Sequence, residues 1–320
     1  MFKYLAGILL LACVAMQAAA QQPYPNRPIR MIVPFGAGGS TDNVARMVAQ
    51  KLTEALGQTV FVENRPGGNA IIGTEALQKS PPDGYTIMMT SIDHVVIPQL
   101  IPAPYDPLKD FVPVGAVSFT QLLLVVNPSV PANNLQELVA LGKAKSGQLN
   151  YASSGSGGVP HLTGVMFSDL AGFKMQHIPY KGGGPAMVDL VGGQVQLTFA
   201  IPINAIPHIK GGKLRPIAIT GAVRNEALRD VPTFTEAGIA GLDVKTWFGV
   251  FAPAGTPKSI VDRLSAEIAR ILATTEVREK LGGQGMEPFI TTADEFAAVT
   301  KADYNKYGQV IRANNIKIDR

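Results

Sequence analysis

Ile29-Arg30-Met31-Ile32-Val33-Pro34-Phe35-Gly36-Ala37-Gly38-Gly39-Ser40-Thr41-Asp42 runs from an apolar strand through a glycine turn to the start of a helix. The helix follows at once, because Val44, Val48, Leu52 and Leu56 recur every fourth position and the pattern stops at Gly57. Strand, glycine loop and amphipathic helix in succession form the unit of an α/β fold with a largely parallel sheet.

The same grammar extends in both directions from this stretch. Strands are expected at 59–63, 85–90, 121–126, 150–152, 174–180, 196–199, 214–220 and 246–251. Helices are expected at 70–79, 134–145, from about 161 to 170, from Pro185, from Pro257 and, after the capping box Thr292-Ala293-Asp294-Glu295, near Phe296 and Val299. A second junction of the first kind appears as Ser153-Ser154-Gly155-Ser156-Gly157-Gly158-Val159-Pro160-His161. Strand runs near 121–126 and 246–251 read as two crossings between lobes. The expected organisation is therefore residues 21–122 plus 248–320 in lobe one, with 123–247 inserted as lobe two. Trp247, at the second crossing, is expected to pack between the lobes.

Residues 1–20 differ from all that follows. Lys3 is the only charge, an apolar run begins at Tyr4, and the segment closes on Ala18-Ala19-Ala20, the marks of a cleavable secretory signal. The apolar run is shorter than the roughly 20 residues of a membrane-spanning helix. Leu10-Leu11-Ala12-Cys13 offers a second reading, a lipid-attachment site at Cys13. Cleavage after Ala20 leaves 320 − 20 = 300 residues, lowers the net charge from +4 to +3 with the loss of Lys3, and removes the only cysteine. A mature chain of that kind has no disulfide and no thiol nucleophile. The slight positive balance, without a basic cluster interleaved with aromatics, excludes a nucleic-acid reading.

At a strand–glycine–helix junction bare backbone N–H groups converge, and the helix dipole adds partial positive charge, so an anion can be held without a basic side chain. Two such junctions, one per lobe, suit a carboxylate gripped from both sides. Neither matches an enzymatic template: the first lacks the third glycine of a dinucleotide fingerprint, neither ends in Gly-Lys-Ser/Thr, and Ser156 is not framed as Gly-x-Ser-x-Gly. His94, His161, His177 and His208 show no metal-ligand spacing. No motif asks for a cofactor. His161 is open to a ligand or a helix-start role, His94 carries the same ambiguity, and Lys181 beside Gly182-Gly183-Gly184 reads either as a cation facing the ligand or as a solvated lysine. Asp42 reads as a first-turn partner of its own helix.

In their order, these motifs resemble the substrate-binding receptors of tripartite tricarboxylate transporters, the Bug receptors. The likeness rests on Tyr24-Pro25-Asn26-Arg27-Pro28-Ile29, Val33 to Asp42, Val62-Glu63-Asn64-Arg65-Pro66-Gly67-Gly68, Pro82-Asp83-Gly84-Tyr85-Thr86 and Tyr105-Asp106-Pro107-Leu108-Lys109-Asp110-Phe111. It continues through Pro179-Tyr180-Lys181-Gly182, Gly192-Gly193-Gln194-Val195 and Trp247-Phe248-Gly249-Val250-Phe251-Ala252-Pro253. The resemblance implies a two-lobed periplasmic binding protein fold of type II-like form, closing on a hinge, with no catalysis. It implies a monomeric periplasmic receptor that hands a small carboxylate to an integral membrane permease. It places Phe35, Gly36, Ala37, Gly38, Gly39 and Ser40 on the ligand from lobe one, Ser154, Gly155, Ser156 and Gly157 from lobe two, and Ser91 at the end of the third strand. Where such receptors commonly carry aspartate, this chain has Ala200, which implies a ligand with a more apolar body than an amino acid. Two other readings compete: a ligand-loaded sensor for a two-component system, and a secreted hydrolase using Ser156 or Ser40 with His161.

Overall fold

The computed structural model describes residues 24–313 together with Ile316 and Ile318. The signal segment and Cys13 lie outside the described residues. In chain order the strands are β1 (Ile29–Val33), β2 (Val60–Asn64), β3 (Thr86–Ser91), β4 (Phe111–Gln121), β5 (Leu123–Val126), β6 (Asn150–Ser153), β7 (Gln176–Pro179), β8 (Leu197–Ala200), β9 (Arg215–Ile219), β10 (Lys245–Pro253) and β11 (Glu287–Pro288). The helices are α1 (Ser40–Leu56), α2 (Ile71–Gln78), α3 (Asp93–Val96), α4 (Leu135–Ala144), α5 (Val159–Ala171), α6 (Gly183–Val191), α7 (Pro202–Lys210), α8 (Lys258–Ala273), α9 (Thr275–Gly282) and α10 (Ala293–Ala313).

They build a six-stranded sheet of order β11-β4-β10-β3-β1-β2 and a five-stranded sheet of order β7-β6-β8-β5-β9. Each sheet, expected to be largely parallel, is mixed. The parallel pairs are β1–β2, β1–β3, β6–β7 and β6–β8, where a helix crosses over between strands. The strands that carry the chain between sheets, β4, β5 and β10, pair antiparallel, because they enter their sheets from the opposite end. The run expected as one strand over 121–126 is broken at Leu122. There Leu122 and Thr220 exchange hydrogen bonds, Leu122 N–H to Thr220 Oγ1 at 2.9 Å and Thr220 N–H to the Leu122 carbonyl at 2.8 Å.

Hydrophobic burial follows the sequence periodicity. Val44, Val48, Leu52 and Leu56 seat α1 against β1 and α8, whose own stripe is Val261, Leu264, Ile268 and Leu272. Burying each such side chain contributes on the order of 2 kcal/mol. The Thr292–Glu295 capping box forms, with the Glu295 carboxylate accepting the Thr292 N–H at 2.8 Å and Thr292 Oγ1 accepting the Glu295 N–H at 3.2 Å. Trp247 does not pack between the sheets. Its ring lies against Phe251 and Phe296, and its Nε1 donates to Asp303 of α10 at 2.8 Å. The alternation along β10 explains why: with Trp247 turned toward α10, its neighbours Thr246 and Phe248 reach the space between the sheets.

Candidate functional site

The carboxyl ends of β1, β3, β6 and β8 face one another, and the loops leaving them enclose a cavity, the usual ligand position in open α/β sheets. A small cavity of about 30 Å³ lies between Phe35, Gly39, Ser40, Thr41, Ser91 and Asp93 on one side and Ser154, Pro160, Gly183 and Ile201 on the other, and Thr246 and Phe248 complete its wall. A second chamber of about 40 Å³ shares Ser40, Ser154, Pro160, Gly183 and Ile201 with the first. It extends over Ala186, Met187, Phe199 and Ala200, with Thr198 and Asn204 as its polar members. Among the described residues, no lysine, arginine or histidine lines either chamber.

The two sides of the cleft meet directly. Gly36 N–H donates to the Lys181 carbonyl at 3.0 Å, Ser156 N–H to Asn69 Oδ1 at 3.1 Å, and Asn43 Nδ2 to Asn204 Oδ1 at 3.4 Å. A Cβ on Gly184 would stand 2.7 Å from the Ala37 carbonyl oxygen, and one on Gly36 2.9 Å from that of Lys181. Glycine at these positions is what lets the backbones touch.

At the first junction, α1 starts at N-cap Gly39 without a side-chain cap, and its first intrahelical bond runs from Asn43 N–H to the Gly39 carbonyl. The N–H groups of its first turn therefore have no helical acceptor and stand at the cavity wall formed by Gly39, Ser40 and Thr41. Gly38, in the left-handed region at φ +77°, turns its own N–H back to Asp42 Oδ2 at 2.9 Å. Burial raises the Asp42 pKa, but hydrogen bonds from Arg46, Gly38 and Asn64 outweigh it and hold the carboxylate below its ordinary value. Asp42 is the self-contained first-turn residue that its position suggested.

The second junction is arranged differently. Gly155 N–H goes to Ser153 Oγ, Gly157 N–H to His161 Nδ1 at 3.0 Å, and Val159 N–H, the first of α5, to Asp93 Oδ1 at 2.8 Å. Asp93 opens α3, two residues after β3 of the six-stranded sheet, and is 5% exposed. Burial pushes its carboxyl up to about 6, against the Val159 N–H and the Ser91 hydroxyl, which pull it down. His161 stacks on His177 at 3.8 Å, and His177 Nε2 meets Ser153 Oγ at 2.6 Å. Burial lowers His161 to about 4, and burial with the neighbouring His161 lowers His177 to about 3. His161 thus serves the loop rather than a serine nucleophile. His94 is likewise internal, its Nε2 against the Pro107 carbonyl and its ring among Phe111 and Phe251.

Of the residues expected on the ligand, Phe35, Gly39, Ser40, Ser91, Ser154 and Ala200 line the two chambers. Gly36, Ala37, Gly38, Gly155 and Gly157 do not; they shape the loops and join the two sides. Ser156 lies with Lys181 in an outer groove beside Asn69 and Tyr180. Sequence reasoning missed Thr41, Asp93, Pro160, Gly183, Ile201, Thr246 and Phe248. The triple glycine after Lys181 was a usable signal for Gly183. Asp93 had none, since its role depends on a contact 66 residues away in sequence.

Comparison with known proteins agrees with this architecture. The family described as tripartite tricarboxylate transporter family receptor matches residues 44–316. Protein BugT of Bordetella pertussis is 37% identical over 315 residues, 98% of this chain and 97% of the relative. The structure of periplasmic binding protein BugD aligns with TM-score 0.88 and 35% identity, over 92% of this chain and 99% of that one. R. palustris Rpa4515, solved with adipate, aligns with TM-score 0.89 and 32% identity over 92% and 99% of the two chains.

Proposed function

The chain belongs to the tripartite tricarboxylate transporter receptor family, and on that premise we propose that it captures a small carboxylate in the periplasm and delivers it to the family's membrane permease. The observation that carries the ligand class is the uncapped α1 N-terminus opening into a cavity without basic side chains. Such a site stabilises a carboxylate through backbone N–H groups and the helix dipole. Adipate in a relative of the same fold supports the same class.

Two lobes, 21–122 plus 248–320 and 123–247, fit the strand order apart from Lys245 to Trp247, which already pair with β4 in the six-stranded sheet. The chain leaves the six-stranded sheet after Gln121, enters the five-stranded one at Leu123, and returns at Lys245. Ligand held by both sides only when they meet shifts the population toward the closed form. The second chamber, walled by Ala186, Met187, Phe199, Ala200 and Ile201, fits a ligand with an apolar body. A receptor rather than a catalyst fits His161, which is hydrogen-bonded to Gly157. No helix of the described residues is long and apolar enough to cross a membrane, which accords with delivery by a separate permease.

A thermal-shift screen against mono-, di- and tricarboxylates, with mass spectrometry of the same samples, tests this reading. A melting-point rise with ligand unchanged is expected, because a ligand that binds only the folded state stabilises it. Consumption of a compound would mean an enzyme. Preference for glutamate or aspartate over aliphatic and aromatic carboxylates would overturn the apolar-body assignment.

A further inference from the structure

The two helix N-termini at the cleft are not equivalent: one is open, and the other already holds a carboxylate belonging to the protein. Asp93 Oδ1 accepts the Val159 N–H at 2.8 Å, and a Cβ on Gly158 would stand 2.9 Å from Asp93 Oδ2, so the whole carboxyl group lies against the first turn of α5. No salt bridge pairs Asp93 among the described residues, yet its side chain is buried and forms part of the cavity wall. Three further N–H groups of that junction, on Gly155, Ser156 and Gly157, go to Ser153, Asn69 and His161.

We propose that Asp93 sets the charge of the ligand: by filling the anion position at α5 it restricts the receptor to compounds with a single carboxylate. This rests on the carboxylate reading above and narrows it. A ligand carboxylate seated on the open turn of α1 leaves a second carboxylate facing an α5 start whose leading N–H, on Val159, is already taken by Asp93, with no basic side chain in either chamber. It would also place that second charge in a poorly solvated space walled by Asp93, where like charges repel far more strongly than in water. The other chamber offers Met187, Phe199, Ala200 and Ile201, which accept a hydrocarbon end and reject a charged one.

The test is isothermal titration of the mature protein with two matched pairs, hexanoate against adipate and benzoate against terephthalate, in wild type and Asp93→Asn. Asparagine keeps an oxygen for the Val159 N–H and removes the charge. Wild type is expected to favour the monocarboxylate of at least one pair by on the order of tenfold or more, and Asp93→Asn to narrow that ratio. A ratio within one protein sample is insensitive to any loss of stability, and the wild-type ratio stands even if the variant does not fold. Tighter binding of the dicarboxylates by wild type, or an unchanged ratio in a folded Asp93→Asn, overturns the assignment of Asp93 while leaving a carboxylate receptor. No binding of these or any other carboxylate in the wider screen removes the carboxylate reading and this inference with it.

Discussion

The loops at 34–42 and 153–161 share one pattern, strand then glycines then helix, and use it in opposite ways. The first folds back on itself through Asp42 and leaves the α1 turn uncapped at the cavity. The second hands four of its N–H groups to Ser153, Asn69, His161 and Asp93, two of which come from the other side of the cleft. Glycine-rich junctions therefore define where an anion can sit, but the acceptors brought by the rest of the fold decide whether the position is still open.

The largest effect is expected from blocking the approach of the two sides. Gly184 sits in the first turn of α6, where alanine favours the helix, but its methyl group would meet the Ala37 carbonyl. Gly184→Ala should leave the unliganded melting temperature within a few degrees and weaken ligand binding by on the order of 100-fold, since the closed form loses its contacts. Titration with the best ligand from the screen measures this. Undiminished affinity would mean that the first junction binds unaided and that the Gly182–Gly184 turn facing it is only scaffolding.

A second difference lies in acid sensitivity. His161 and His177 titrate in the unfolded chain near 6.5 but in the folded protein near about 4 and about 3. Between those values the unfolded chain holds more protons, so this contribution is complete above about pH 6.5 and is lost as pH falls toward 4 and 3. Protonating His161 also removes the acceptor for Gly157 N–H. Asp42, held below its ordinary 3.8, keeps the first junction intact to lower pH. Amide exchange at pH 7 and 5, corrected for intrinsic rates, should rise about tenfold at 153–160 and under about twofold at 35–42. Equal loosening of both would dissolve the distinction, and His177→Gln should flatten the response of the second loop.

How much of this was legible in the chain differs between the same two regions. The α1 stripe from Val44 to Leu56, the glycine stop at Gly57 and the Thr292 capping box are local patterns, and the structure follows them. Strand β4 was hidden, because Pro113 and Gly115 interrupt its apolar run. The ladder accommodates Pro113 beside a register shift between Val250 and Phe251, while β11 pairs only with Ser118 and Phe119. In the site, Ser40 and Ser154 could be placed because each belongs to its own junction. Asp93 could not, because nothing within a few residues of it names Val159 as its partner; only the closing of two sheets does.

The smallest expected effect concerns Asn69, whose Oδ1 accepts the Ser156 N–H across the cleft. Asn69 has φ +52°, so glycine is the substitution that removes the amide without adding backbone strain. A hydrogen bond of this kind is worth about 1 kcal/mol net, so Asn69→Gly should weaken binding about threefold to tenfold through a less favoured closed form. Titration against the same ligand checks it. The informative reversal would be tighter binding: a Ser156 N–H released from Asn69 would then be turning to the ligand, and the second junction would be an anion site that the protein holds closed rather than one it lacks.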